Sequence, residues 1–120
     1  MYEISIEGTF DAAHCLSGYS GDCRRLHGHT YRVLASFRFR DVNESGMALD
    51  FRQAKTSLRR VLEYLDHRYI NELPEFSDHS PTAENLAKFV FDRLRVEYDS
   101  IYSVSVWETA TSCATYRNED

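Results

Sequence analysis

The stretch Cys23-Arg24-Arg25-Leu26-His27-Gly28-His29 sets a thiol and two imidazoles within seven residues, and a third imidazole, His14, lies upstream. His27 and His29 are two positions apart, so on a strand both side chains leave the same face. Two imidazoles on one face, joined by a third from a neighbouring strand, form the three-nitrogen ligand set of a catalytic zinc, with a fourth position left for water or substrate. Ligand type alone also admits iron or copper. A single histidine of this kind is usually an ordinary polar residue at a strand end; the convergence of three favours a metal. Cys23 does not have the spacing of a structural Cys/His zinc ligand. Beside Arg24 and Arg25 and near a cation, its thiol would be driven toward thiolate, the form that acts as nucleophile or base. Cys15 and Cys113 have no such setting and read as structural.

Three other places carry chemistry-bearing side chains. Asp66-His67 reads on pattern alone as a polar helix end, with the histidine complementing the helix dipole. With a cysteine the pair would also allow proton relay, Asp66 orienting His67 and His67 exchanging a proton. Glu108 ends an apolar strand face. It is either a solvated strand end or a carboxylate that accepts paired N–H bonds from a heterocycle with an amidine-like edge, such as a pterin or guanine. Thr82 and Glu84 are explained by helix capping.

These residues need elements to position them, and the hydrophobic pattern supplies those elements. Over residues 3–14, Ile4, Ile6, Phe10, Ala12 and His14 share one face, while Glu3, Ser5, Glu7, Thr9 and Asp11 share the other, as in a half-buried antiparallel strand. Over 27–40, His27, His29, Tyr31, Val33, Ala35, Phe37 and Phe39 share a face. The long Gly/Ser/Cys-rich loop between them exceeds a tight hairpin, and loops of that length are often functional. If the two strands pair, all three histidines meet at one end of one sheet face. Asp50 and Gln53 resemble a capping box for a helix over about 51–65. Ser80-Pro81-Thr82-Ala83-Glu84 opens a second helix over about 82–97. A strand over about 101–109 puts Tyr102, Val104, Val106 and Glu108 on one face, and a short strand follows at about 112–117. The expected order is β-β-α-α-β-β: an α+β fold in which a four-stranded antiparallel sheet carries both helices on one face.

The 120 residues are expected to form a single domain, 1–120. Eight Tyr, seven Phe and one Trp exceed what one small core consumes, which points to a homo-oligomer. A net charge of −5 without a compensating basic run excludes nucleic acid as a partner. No apolar segment is long enough to span a membrane. The opening Met1-Tyr2-Glu3 lacks signal-peptide character, and three cysteines are an odd number, so free thiols and a cytoplasmic location are expected.

Phe10-Asp11-Ala12-Ala13-His14, Cys23-Arg24-Arg25-Leu26-His27-Gly28-His29, Leu65-Asp66-His67, Pro81-Thr82-Ala83-Glu84-Asn85 and Trp107-Glu108-Thr109 together resemble, in order and over nearly the whole chain, the motifs of the 6-pyruvoyl-tetrahydropterin synthase family. Three residues separate Cys23 from His27, a gap that resembles the family's bacterial 6-carboxy-5,6,7,8-tetrahydropterin synthases of queuosine biosynthesis. The animal pyruvoyl enzymes usually carry a longer one. The resemblance implies a tunnelling fold assembled through its sheets into a barrel, commonly a hexamer made of two trimers, with active sites between subunits. It implies zinc on His14, His27 and His29, Cys23 with Asp66 and His67 as catalytic residues, and Glu108 with Thr109 at the pterin. The implied substrate is 7,8-dihydroneopterin triphosphate, and the products are 6-carboxy-5,6,7,8-tetrahydropterin, acetaldehyde and triphosphate.

The nearest competitor is the pyruvoyl reaction, in which triphosphate leaves without side-chain cleavage. A non-catalytic zinc-binding module on the same fold is a competitor from a different class. A Cys-His hydrolase is disfavoured, because no oxyanion-hole motif or nucleophile elbow is present.

Overall fold

A computed structural model of the chain describes residues 1–16 and 26–119. Two long strands, β1 (Tyr2–His14) and β2 (His27–Phe39), pair antiparallel along their whole length, with Tyr2 opposite Phe39 at one end and His14 opposite His27 at the other. Helix α1 (Phe51–Leu65) follows, then a two-residue strand β3 (Arg68–Tyr69) and two single 3₁₀ turns. Helix α2 (Ala83–Glu97) and the hairpin of β4 (Ile101–Thr109) and β5 (Ser112–Arg117) complete the order.

The elements begin where their capping residues place them. Asp50 accepts from the backbone N–H groups of Arg52 and Gln53 at the start of α1. Thr82 accepts from that of Asn85 at the start of α2. Each bond satisfies a donor that the first helical turn leaves open.

Alternation decides what is buried. Ile6, Phe10 and Ala12 of β1, Tyr31, Val33, Ala35 and Phe37 of β2, and Val104 and Val106 of β4 form one core with Leu58, Leu62 and Leu65 of α1 and Leu86, Val90 and Leu94 of α2. Both helices therefore cover one sheet face, as expected. Close approach is needed where α1 crosses β1: a Cβ on Gly8 would lie 2.8 Å from Leu62 Cδ1. The opposite face is polar. There Arg32 reaches Glu7 at 2.7 Å and stacks over Trp107 at 3.9 Å.

Two expectations are corrected. Among the described residues the sheet has five strands in the order β3-β1-β2-β4-β5, and β3 runs parallel to β1 at Ala12 and Ala13. A two-residue strand is too short to leave any periodic trace in the sequence. Tyr102 does not share a face with Val104. The β2–β4 register shifts between Ser36 and Phe37, so Ile101 enters the core, while Tyr102 lies 3.4 Å beneath the Arg38 guanidinium. A bulge inserts one residue and reverses the faces beyond it. Among the described residues, no helix is long and apolar enough to cross a membrane.

Candidate metal centre

The β1–β2 register builds the cluster directly. His14 stands opposite His27, and His29 stands opposite Ala12, two residues back along β1. All three imidazoles leave the buried face. One ring nitrogen from each comes within 4.8 Å of the others, and His14 Nε2 lies 2.9 Å from His27 Nε2.

The ring of His14 is fixed from behind. Its side chain is fully buried, and Nδ1 lies 2.7 Å from the carbonyl oxygen of Pro81, just ahead of α2. A carbonyl only accepts, so Nδ1 carries the proton and Nε2 presents its lone pair to the cluster. The Tyr31 hydroxyl lies 3.2 Å from the same Nδ1. Burial, with Glu108 adding to it, pushes the Tyr31 phenol far above its ordinary range, so it stays neutral. A histidine whose far nitrogen is held by a carbonyl is the usual outer-shell arrangement of a metal-binding imidazole.

His29 Nε2 is buried without a hydrogen-bond partner. Burial holds the His29 pKa below its ordinary value; the Glu108 carboxylate opposes this, and His14 and His27 reinforce it. The ring is thereby kept neutral, the form that ligates. An orphaned buried nitrogen beside two more convergent ring nitrogens fits a cation, and an all-imidazole donor set suits zinc.

Glu108 completes the surroundings. Its carboxylate oxygens lie 4.0 Å from His14 Nε2 and 3.9 Å from His29 Nε2, and the side chain remains partly exposed. The β4–β5 register shifts between Trp107 and Thr109, so Glu108 sits at a bulge, a feature common beside active sites. Thr109 follows at the exposed end of β4, where its hydroxyl accepts from the Thr111 N–H at 3.4 Å.

Asp66 and His67 are brought together as the sequence suggested, with His67 Nδ1 2.9 Å from Asp66 Oδ2. They gather around Asp11 as a group separate from the three ring nitrogens, although His67 lines one surface cavity with His29. Asp66 Oδ1 accepts from the Asp11 N–H at 2.9 Å, and the His67 N–H donates to the Asp11 carbonyl at 2.6 Å. Asp11 is exposed and lies between the buried Phe10 and Ala12, so this group sits on the outer side of β1, while His14 sits on the inner side. His67 adopts a left-handed backbone, φ 57°, immediately after α1. A non-glycine residue is uncommon there, and such positions concentrate at functional sites. The backbone bond of Asp11 is the largest cause that holds the Asp66 carboxyl below its ordinary value, and His67 adds to it. Cys23, Arg24 and Arg25 lie outside the described residues.

The Pro81 carbonyl and Tyr31 were not found by sequence reasoning. A main-chain acceptor has no side-chain signature, and Tyr31 reads simply as the next apolar position after His29.

Comparison with known proteins gives the same picture over the full length. A model of the family described as 6-pyruvoyl tetrahydropterin synthase matches residues 3–119. The 6-carboxy-5,6,7,8-tetrahydropterin synthase of Synechocystis sp. is 39% identical over 122 residues, covering 97% of this chain and 93% of that protein. The enzyme of the same name from Haemophilus influenzae is 34% identical over 140 residues, covering 98% of this chain and 99% of that protein. The structure of Caenorhabditis elegans 6-pyruvoyl tetrahydropterin synthase matches with a TM-score of 0.86 at 28% identity, covering 99% of this chain and 98% of that one. With its register-built histidine cluster, its sheet topology and this full-length similarity, the chain belongs to the 6-pyruvoyl tetrahydropterin synthase family.

Proposed function

We propose that this chain, acting as a single domain over residues 1–120, is a zinc-dependent 6-carboxy-5,6,7,8-tetrahydropterin synthase of queuosine biosynthesis. As a carbon–carbon lyase it would convert 7,8-dihydroneopterin triphosphate and water to 6-carboxy-5,6,7,8-tetrahydropterin, acetaldehyde and triphosphate. The carrying observation is the convergence of His14, His27 and His29 beside Glu108. The choice of product rests on the Cys23–His27 spacing and on the names of the relatives in Synechocystis and Haemophilus influenzae, and the pathway is the one that the family resemblance implies.

His14, His27 and His29 would hold the zinc, which when bound supplies Lewis acidity toward the substrate's side-chain hydroxyls. Glu108 would anchor the amino-pyrimidine edge of the pterin, accepting two N–H bonds, with Thr109 next to it. Cys23, as thiolate, would remove the carbon-bound proton that the pterin ring activates. His67 Nδ1 donates to Asp66, which leaves Nε2 to exchange protons as triphosphate departs and the carbon–carbon bond breaks. The position of Asp66 and His67 on the outer side of β1 supports a homo-oligomer in which neighbouring chains complete each site, in keeping with the hexamer that the family resemblance implies. Cys15 and Cys113 are free thiols, in keeping with a reducing, cytoplasmic compartment.

Pyruvoyl-type chemistry is the second reading, favoured by the fold match to the Caenorhabditis elegans enzyme. Incubation with 7,8-dihydroneopterin triphosphate, with products identified by mass, separates the two. Acetaldehyde with a carboxy-pterin is expected; a pterin that keeps its three-carbon side chain after losing triphosphate would establish the pyruvoyl reaction instead.

A further inference from the structure

Asn71 fastens the end of β1. Its Oδ1 accepts from the Cys15 N–H at 3.0 Å, and its Nδ2 donates to the Cys15 carbonyl at 2.9 Å. One carboxamide thus meets both main-chain groups of one residue, as a strand partner would. It does so where real pairing stops: β3 pairs with Ala12 and Ala13, and the Asn71 side chain carries that edge onward to Cys15. The Tyr69 hydroxyl, 3.2 Å from Cys15 Sγ, reinforces the same contact.

The consequence falls on His14. The Cys15 N–H and the His14 carbonyl belong to one peptide plane, and that plane is rigid. Holding the Cys15 N–H therefore holds the main chain of His14. Pro81 and Tyr31 act on the His14 ring nitrogen, whereas Asn71 acts on the backbone from which the ring projects. We infer that Asn71 is a positioning residue of the metal centre, its carboxamide clamping the His14–Cys15 peptide so that His14 Nε2 meets His27 and His29. Asn71 also lies four positions after His67, so the segment that carries the Asp66–His67 pair is tied to the strand end that carries a metal ligand. The inference rests on the zinc reading above.

A clamp that merely tacked residues 68–76 onto the sheet would affect stability and leave metal binding alone. The test uses the full chain and two probes: zinc dissociation constants by competition with a chromophoric chelator, and the visible spectrum of the cobalt(II)-loaded protein. Both are measured well below the unfolding temperature. Asn71→Asp keeps the shape and the acceptor but removes the donor; Asn71→Ala removes both. Tyr64→Phe is the control, since it removes a hydrogen bond to Glu75 (2.6 Å) from the same region without touching β1. Loss of an outer-shell partner weakens metal binding by about tenfold or more. Both Asn71 variants are expected to show that loss and an altered cobalt spectrum, with Tyr64→Phe matching the parent. Unchanged affinity and spectrum in Asn71→Asp would overturn the inference. Failure of the parent chain to bind zinc more tightly than His14→Ala would instead bring down the zinc reading, and the inference with it.

Discussion

His14 Nδ1 lies 2.7 Å from the main-chain carbonyl of Pro81, so the start of α2 determines which nitrogen of a β1 histidine faces the cluster. Because the acceptor is backbone, Pro81→Ala keeps it. That variant is expected to retain zinc, whereas His14→Ala and His27→Ala lose it. Elemental analysis of the purified variants checks this; stoichiometric zinc in His27→Ala would sink the ligand assignment.

Glu108 stands within 4.0 Å of two histidine nitrogens, close enough to be read as a ligand or as a substrate anchor. Glu108→Gln separates the roles. The anchor reading predicts full zinc content and a loss of pterin affinity of about 1.5–3 kcal/mol, the worth of a hydrogen bond to a charged group. That corresponds to roughly ten- to hundredfold in the dissociation constant. Loss of zinc in place of pterin affinity would make Glu108 a ligand.

Cys23→Ala is expected to bind zinc and pterin normally and to lose turnover, because a base assigned only to carbon-bound proton removal contributes nothing to ground-state binding. Paired measurements of metal content and product formation decide it. Full activity in the variant removes Cys23 from the mechanism.

The Asp66 carboxyl is held below its ordinary value by the Asp11 N–H first and by His67 after it. A group whose folded value is depressed adds stability above its unfolded value, and that stability is lost as pH falls through the folded one. Asp66→Asn should therefore cost most stability at neutral pH and least at low pH, flattening the fall in stability as pH drops below the ordinary carboxylate range. Denaturant midpoints measured across the acid range test this. An identical acid limb in both proteins would show that Asp66 carries no such linkage.

The long strands and both helices were legible because each buries one face against a single core. Period-2 alternation in β1 and β2 was enough to converge His14, His27 and His29, since strand pairing turns a sequence period into a shared surface. Features made by one or two residues were not legible. Arg68 and Tyr69 join the sheet without a pattern, and the bulge at Tyr102 is an insertion relative to β2 that β4 alone does not reveal. The supports of His14 were also hidden, because Pro81 acts through its carbonyl and Asn71 through contact with a distant backbone. Asp66 and His67 were recognised as a pair, but their placement depends on how the chain leaves α1 through the left-handed His67, a conformation uncommon for any residue but glycine and so not read from the sequence.

That placement has a genetic consequence. The imidazoles project from the inner face of β1 and β2, and the Asp66–His67 pair gathers on the outer side of β1. Two inactive chains, one His27→Ala and the other His67→Ala, should then rescue each other when co-expressed. If every site draws its histidines from one chain and its Asp–His pair from a neighbour, random mixing of equal amounts leaves about a quarter of the sites intact. Activity of that order in the mixture, against none from either chain alone, would show that neighbours share each site; no recovery would place every site within one chain.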